Sequence, residues 1–243
     1  MTARTFTFTV EPGAPSNATN YLSWDVETGT IDGTFPIYEN IGAVQISTAK
    51  AHSGTKSIYY NPYTVGDQTD SPVFPLPNLR TLYATWWWWI PKELAGGLGG
   101  QHFFRFGSSA SGDPNYWYRG QLDPTIAAPG AIGFGVDLFD GVGGDSGSLY
   151  HGLTDLPTDR WFKFGILATL NSSVGVADGV LKMWIDDVEV VTKSDVMYAM
   201  ASGTSLLAYK WTHFALVTNF DNVADPYVGY WYMDDIELWD GVP

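Results

Sequence analysis

Polar and apolar positions alternate along most of this chain in short runs separated by turn-forming residues, and that period is the signature of β-strands. Runs of this kind cover Ala43 to Ser47, Ser57 to Tyr60, Thr81 to Ile90, His102 to Phe106, Tyr116 to Leu122 and Ile132 to Phe139. Four more follow at Trp161 to Leu170, Val180 to Val191, Thr212 to Phe220 and Tyr230 to Trp239. Within the Trp161 run, Phe162, Phe164, Ile166, Ala168 and Leu170 form a wholly apolar set and are assigned to the core; the intervening Trp161, Lys163, Gly165, Leu167 and Thr169 form a mixed face. In the next run Leu181, Met183, Ile185 and Val188 are expected inward, with Lys182, Trp184 and Asp186 opposite. Ser194 to Ala201 is the one segment read as a short helix. Many short strands with almost no helical period predict an all-β chain, a two-sheet antiparallel β-sandwich.

The first ten residues, Met1 to Val10, also alternate, and Glu11-Pro12-Gly13-Ala14-Pro15 after them is a breaker cluster. The expected organisation is an N-terminal arm and linker over residues 1–19 and one sandwich over residues 20–243, a length that a single β-sandwich accommodates. A lone alternating segment on a Pro/Gly tether is suited to adding a strand to a neighbouring sheet edge, so the arm is a candidate for homo-oligomer or virion assembly.

Composition narrows the partners. The chain has 26 acidic against 12 basic residues and a formal net charge of −14, with no Lys/Arg cluster, which disfavours nucleic acid. It contains no cysteine, so disulfides and thiolate metal sites are excluded. No apolar run approaches the roughly 20 residues of a membrane span. The N-terminus lacks the apolar stretch of a signal peptide, so the expectation is either a removed export signal or release without one. An extracellular or virion-surface location is expected.

Several segments, in order, carry a resemblance. Trp24-Asp25-Val26-Glu27-Thr28-Gly29 followed by Ala51-His52-Ser53-Gly54-Thr55-Lys56-Ser57-Ile58 is similar to an "FE-x-G … AHSGKYSL" opening. Trp161, Asn171 and Asp178-Gly179-Val180-Leu181-Lys182-Met183-Trp184-Ile185-Asp186-Asp187 are similar to a "W … N … DG-x-L-x-x-W-x-DG" hairpin, with Asp187 at the usual glycine. Tyr230-Trp231-Tyr232-Met233-Asp234-Asp235-Ile236 is similar to a closing "YFDDV" strand. Together they resemble the concanavalin A-like lectin/glucanase superfamily, in particular its polysaccharide lyase-like and laminin-G-like group. The resemblance implies a jelly roll and a polysaccharide or glycan partner, and leaves catalysis open. It also implies a structural Ca²⁺ shared by Glu27, Asp235 and the Ser53 to Lys56 turn, a set of hard oxygen ligands.

Aromatic clusters are the most unusual local feature. In Trp86-Trp87-Trp88-Trp89, alternation puts Trp86 and Trp88 on one face and Trp87 and Trp89 on the other. One pair is expected to fill the core and the other to offer sugar rings an apolar platform. Tyr116, Trp117 and Tyr118, and Tyr230, Trp231 and Tyr232, repeat the pattern, so the candidate ligand-binding residues are these four tryptophans with Tyr116, Tyr118 and Trp231.

A lyase would need a cation to neutralise a uronate carboxylate and a His or Tyr to move the C5 proton. Gln101, His102, Arg105, Tyr118, Arg119, Lys163, Lys182, Lys210 and His213 have the required chemistry. His102 or Tyr118 would transfer the proton and Arg105 or Arg119 would neutralise the acid. Alginate lyases of this fold carry Gln and His two apart on one strand face, whereas Gln101 and His102 are adjacent and face oppositely. The E-x-D-x-x-E string of the hydrolase branch is absent, and no H-x-H or H-E-x-x-H string suggests catalytic zinc. His52 and His151 are read as loop residues.

Three functions fit. The leading one is a carbohydrate-binding protein without catalysis that uses an aromatic-lined face. The second is a polysaccharide lyase cleaving a uronate-containing glycan by β-elimination. The third is a structural virion protein, a capsid decoration or fibre component.

Overall fold

The computed structural model describes residues 18–27, 37–38, 44–60, 71–92, 101–107, 117–122, 134–139, 145–153, 155–173, 175–198, 210–220 and 231–242. The arm and linker expected over residues 1–19 lie outside the described residues, except for Thr19 and its neighbour at 18.

The described residues form fifteen strands. They are β1 (Asn20–Trp24), β2 (Ile37–Tyr38), β3 (Val44–Ser47), β4 (Ser57–Tyr60), β5 (Ser71–Leu79), β6 (Thr81–Trp89), β7 (Gln101–Gly107) and β8 (Trp117–Leu122). Then come β9 (Phe134–Phe139), β10 (Asp145–Leu153), β11 (Trp161–Thr169), β12 (Gly179–Ile185), β13 (Val188–Val196), β14 (Trp211–Phe220) and β15 (Trp231–Trp239). They build two antiparallel sheets. One has eight strands in the order β13-β12-β11-β6-β15-β4-β3, with β1 also paired to β15; the other has seven in the order β10-β9-β8-β7-β14-β5-β2. The chain is an all-β two-sheet sandwich, as the alternation predicts, and a jelly roll, as the resemblance implies.

The core lies between the sheets and is strongly aromatic. Trp86 of β6 meets Phe164 of β11 at 5.0 Å and, from the opposite sheet, Phe104 of β7 at 5.5 Å and Phe214 of β14 at 5.9 Å. These tilted and edge-on contacts are the geometries that ring quadrupoles favour. One polar bond also joins the sheets: Trp211 Nε1 of β14 donates to the Ala168 carbonyl of β11 at 2.9 Å. The set Phe162, Phe164, Ile166, Ala168 and Leu170 is buried throughout, as its period requires.

Two expectations are corrected here. The run Val180 to Val191 is two strands, because Asp186 (φ 51°) and Asp187 (φ 62°) make a two-residue hairpin turn with both residues left-handed. Val188, expected inward, therefore restarts on the far side of a turn and is 64% exposed. The segment read as a helix from Ser194 begins as the end of β13, up to Val196.

Candidate functional site

The outer face of the seven-stranded sheet collects the residues with lyase-type chemistry, and strand register is what collects them. Phe104 and Phe106 of β7 and Val136 of β9 are buried, which defines the inner face. Arg105 stands between the two phenylalanines and pairs in register with Arg119, which pairs with Asp137, which pairs with Ser148. That row belongs to the face away from the core.

Simple alternation would put His102 on the inner face with Phe104. The register shift between His102 and Phe104 changes this: β7 carries one extra residue there, so His102 pairs with Gln121 and Phe104 with Gly120. Gln121 alternates with Gly120, whose partner Val136 is in the core, so Gln121 and His102 belong with Arg105 and Arg119. On the other side of β7 a second shift, between Leu216 and Asn219, pairs His102 with Asn219. One row of the outer face thus reads Asn219, His102, Gln121, Gly135, His151, and the next reads Ala215, Arg105, Arg119, Asp137, Ser148. Neighbouring positions in a row are separated by one strand spacing, about 4.8 Å.

Several sequence expectations change position. Tyr118 pairs with Phe106 and Gln101 with Leu122, so both occupy inner-face positions and neither shares the face of His102. Lys163 and Lys182 stand on the other sheet, in ion pairs with Asp187 (3.0 Å) and Glu189 (2.9 Å). Tyr116 lies outside the described residues. His151, read as a loop residue, is in β10. Gln121, Asn219 and Asp137 were not singled out from the sequence at all; strand pairing reveals them, and no local motif does.

His213 continues this outer face. It pairs with Gly107, and its imidazole lies over that glycine so closely that a Cβ there would collide with the ring. Its Nδ1 is 2.9 Å from Thr212 Oγ1. Burial holds its pKa down to about 4, so the ring is neutral at pH 7.

The tryptophan run divides as alternation requires, but the division corrects the proposed platform. Trp86 and Trp88 are fully buried, and so is Trp231, which removes all three from any ligand-binding face. Trp87 and Trp89 are on the outer face of the eight-stranded sheet and are partly covered. The His52 ring stacks on Trp87 at 3.6 Å, and the Lys50 ammonium sits 4.1 Å from the Trp89 ring centre.

His52 belongs to a turn that joins the beginning of the sandwich to its last strand. Strand β15 pairs with β4 through Trp231–Met233 and with β1 through Ile236–Trp239, leaving Asp234 and Asp235 in the gap between them. The turn fills that gap. His52 N–H donates to Asp234 Oδ2 (2.8 Å), Ser53 Oγ donates to Asp235 Oδ1 (2.6 Å), and His52 Nδ1 lies 2.6 Å from Asp235 Oδ2. Asp234 is fully buried; burial pushes its pKa up to about 6 even though backbone N–H groups donate to it. At the other end of the turn, Glu27 Oε1 accepts from Thr55 N–H (2.7 Å) and Lys56 N–H, and Oε2 accepts from Thr55 Oγ1 (2.9 Å). The Thr55 backbone bond, foremost among these, holds Glu27 below the usual carboxylate range.

This donor set does not fit the calcium expected between Glu27 and Asp235. The turn presents N–H and hydroxyl donors to both carboxylates, where a calcium cage needs carbonyl and carboxylate oxygens turned toward the ion. Among the described residues no group of three or more His, Cys, Asp or Glu is arranged to hold a metal. Asn171, which opens the N-x-S/T string Asn171-Ser172-Ser173, is buried at 3% exposure.

Strand register therefore sets the positions of Asn219, His102 and Gln121 in one row of the seven-stranded sheet and those of Arg105 and Arg119 in the next. Such a set can bind a carboxylate, stabilise charge that develops on it and exchange a proton beside it. No protein-family model matches the chain, and no curated protein matches it. Solved structures do. An endo-β-1,4-glucuronan lyase from the fungus Trichoderma reesei superposes with a TM-score of 0.65 at 13% identity, covering 93% of this chain and 96% of that one. A PL-14 alginate lyase from Aplysia kurodai has a TM-score of 0.61 at 14% identity, covering 90% and 98%. The alginate lyase vAL-1 from Chlorella virus has a TM-score of 0.61 at 14% identity, covering 90% and 99%. The chain has the concanavalin A-like jelly-roll fold of these polysaccharide lyases.

Proposed function

We propose that this protein cleaves a uronate-containing polysaccharide by β-elimination on the outer face of its seven-stranded sheet. The observation that carries the reading is the shared row of Asn219, His102 and Gln121, directly beside the row holding Arg105 and Arg119. Arg105, supported by Asn219 and Gln121, neutralises the uronate carboxylate, which makes the C5 proton acidic enough to remove. His102 takes that proton as its neutral imidazole. The electron pair forms the C4–C5 double bond, the C4–O bond breaks, and the departing oxygen takes a proton from the His102 imidazolium. The lyase names of the structural neighbours support the same reaction class and substrate class.

A second reading is supported by one specific feature: the tyrosine that could serve as the acid, Tyr118, shares the register of buried Phe106. On that reading the face binds a uronate glycan without cutting it. Incubation with alginate and with glucuronan under ultraviolet detection separates the two, because each elimination leaves a conjugated double bond. Rising absorbance establishes cleavage. Retention on the same polymers with flat absorbance establishes binding alone, and the absence of both would leave the uronate assignment without support.

A further inference from the structure

The outer face of the other sheet is paved with aromatic rings that the uronate chemistry does not use. Tyr59, Tyr232, Trp89 and Trp161 follow one another in a single row across β4, β15, β6 and β11. At about 4.8 Å per strand the row spans roughly 14 Å. Four residues along β11 from Trp161, about 13 Å, Gly165 pairs with Trp184 of β12, and the absence of a side chain at Gly165 leaves room for the Trp184 and Tyr83 rings to meet edge to face at 5.5 Å. Trp161 and Trp184 are both only partly buried.

Two properties of this face select its occupant. Its rings are held by their neighbours, Trp87 under His52 and Trp89 against Tyr232, so a ligand orders little on binding. Most of its charges are paired, Lys163 with Asp187, Lys182 with Glu189 and Arg160 with Asp186, and the two others, Lys50 over Trp89 and Glu237 near Tyr83, are opposite in sign. On a chain of net charge −14 the result is a locally neutral aromatic strip. A polyuronate would gain nothing from it and would meet the repulsion of the whole protein. An uncharged sugar chain fits, because the C–H faces of its pyranose rings lie well on indole and phenol rings.

We infer that Trp161 and Trp184, with Trp89 and Tyr59, form a second glycan site for a neutral polysaccharide, on the opposite side of the sandwich from the uronate face. The site would anchor the protein to a neutral wall or matrix polymer while the other face works on an acidic one.

Electrophoresis of the full chain through native gels containing hydroxyethyl cellulose or glucomannan tests this. The unaltered protein should be retarded in at least one of them. W161A/W184A should lose at least about ten-fold of that affinity, while R105A/R119A should be retarded as the unaltered protein is, whatever becomes of uronate binding. Because both rings are partly buried, a second measurement uses the unaltered protein. Soluble oligosaccharide of the retarding polymer should protect Trp161 and Trp184 from N-bromosuccinimide oxidation, read by peptide mass spectrometry. The inference is overturned if no neutral polymer retards the protein, or if W161A/W184A is folded and equally retarded. It is also overturned if the two rings stay fully reactive with oligosaccharide present. Sedimentation showing a dimer that W161A/W184A dissociates would assign the strip to a second copy of the chain and overturn the glycan site.

Discussion

His52 Nδ1 lies 2.6 Å from Oδ2 of Asp235, a residue 183 positions later in the chain, while the same imidazole stacks on Trp87 at 3.6 Å. One side chain thereby joins the early turn, the central strand β6 and the terminal strand β15. The adjacent Asp234 is buried and accepts backbone N–H bonds from that turn, so its loss leaves donors without acceptors in a dry site. Asp234→Ala should lower stability by about 3 kcal/mol and His52→Ala by about 1–2 kcal/mol. Urea unfolding checks both: the midpoints should fall with the slope unchanged.

The donors turned toward Glu27 bear on calcium. Its two oxygens already accept from two backbone N–H groups and the Thr55 hydroxyl. The thermal midpoint should therefore be the same in excess chelator as in millimolar Ca²⁺. A midpoint that rises with calcium and falls with chelator would show that the turn reorganises around an ion, since binding to the folded state alone raises stability.

Gly107 and His213 form a coupled pair across β7 and β14. Gly107→Ala should cost about 1–3 kcal/mol, because the added methyl meets the His213 ring. In a His213→Ala background the same substitution should cost much less, giving a clear interaction energy in a double-mutant cycle. Equal costs in both backgrounds would show that the ring is not what the methyl strikes.

His213 also gives stability a predictable pH dependence. Its folded pKa is lowered by burial from 6.5 to about 4, so between those values the unfolded chain binds a proton that the folded chain refuses. Its contribution is complete above pH 6.5 and is lost as pH falls toward 4. The urea midpoint of the unaltered protein should therefore approach that of His213→Gln as pH falls from 7 to 5. A constant gap between them would contradict the buried neutral imidazole.

Much of the sandwich was legible because strand period survives in a single sequence. The inward set of β11 and the division of Trp86 and Trp88 from Trp87 and Trp89 both follow from a repeat of two. What escaped had physical reasons. Strand β5 carries Pro72, Pro75 and Pro77, which argue against a strand. Pro75 pairs with His213 of β14 on one side, and on the other, among the described residues, β2 pairs only with Ser71 and Pro72, which leaves Pro75 and Pro77 without a partner strand there to require an N–H. Strand β10, Asp145–Leu153, is glycine-bearing and polar, as befits the last strand of its sheet, and its sequence lacks a sustained apolar alternation. The turn at Asp186–Asp187 was hidden because the glycine usual there is absent.

The candidate site was less legible, since it depends on register between strands. Gln101 and His102 face oppositely, as alternation requires, and that seemed to end the likeness to a Gln–His face. The fold brings a different glutamine, Gln121 of the next strand, into register with His102, beside a register shift in β7. Neither the pairing nor the shift leaves a mark in the local sequence. Tyr118 has the complementary position: its chemistry suits a proton transfer, and its register is that of Phe106.

The most direct measurement compares His102→Ala and Tyr118→Phe in a continuous ultraviolet assay on alginate and glucuronan. Catalysis on the outer face of the seven-stranded sheet predicts that His102→Ala lowers kcat by about 10²-fold or more, the usual contribution of a general base. Tyr118→Phe should stay within about two-fold of the unaltered protein, since position 118 belongs to the inner face. Activity that survives His102→Ala but is abolished by Tyr118→Phe, or no formation of unsaturated ends by the unaltered protein, would contradict the account.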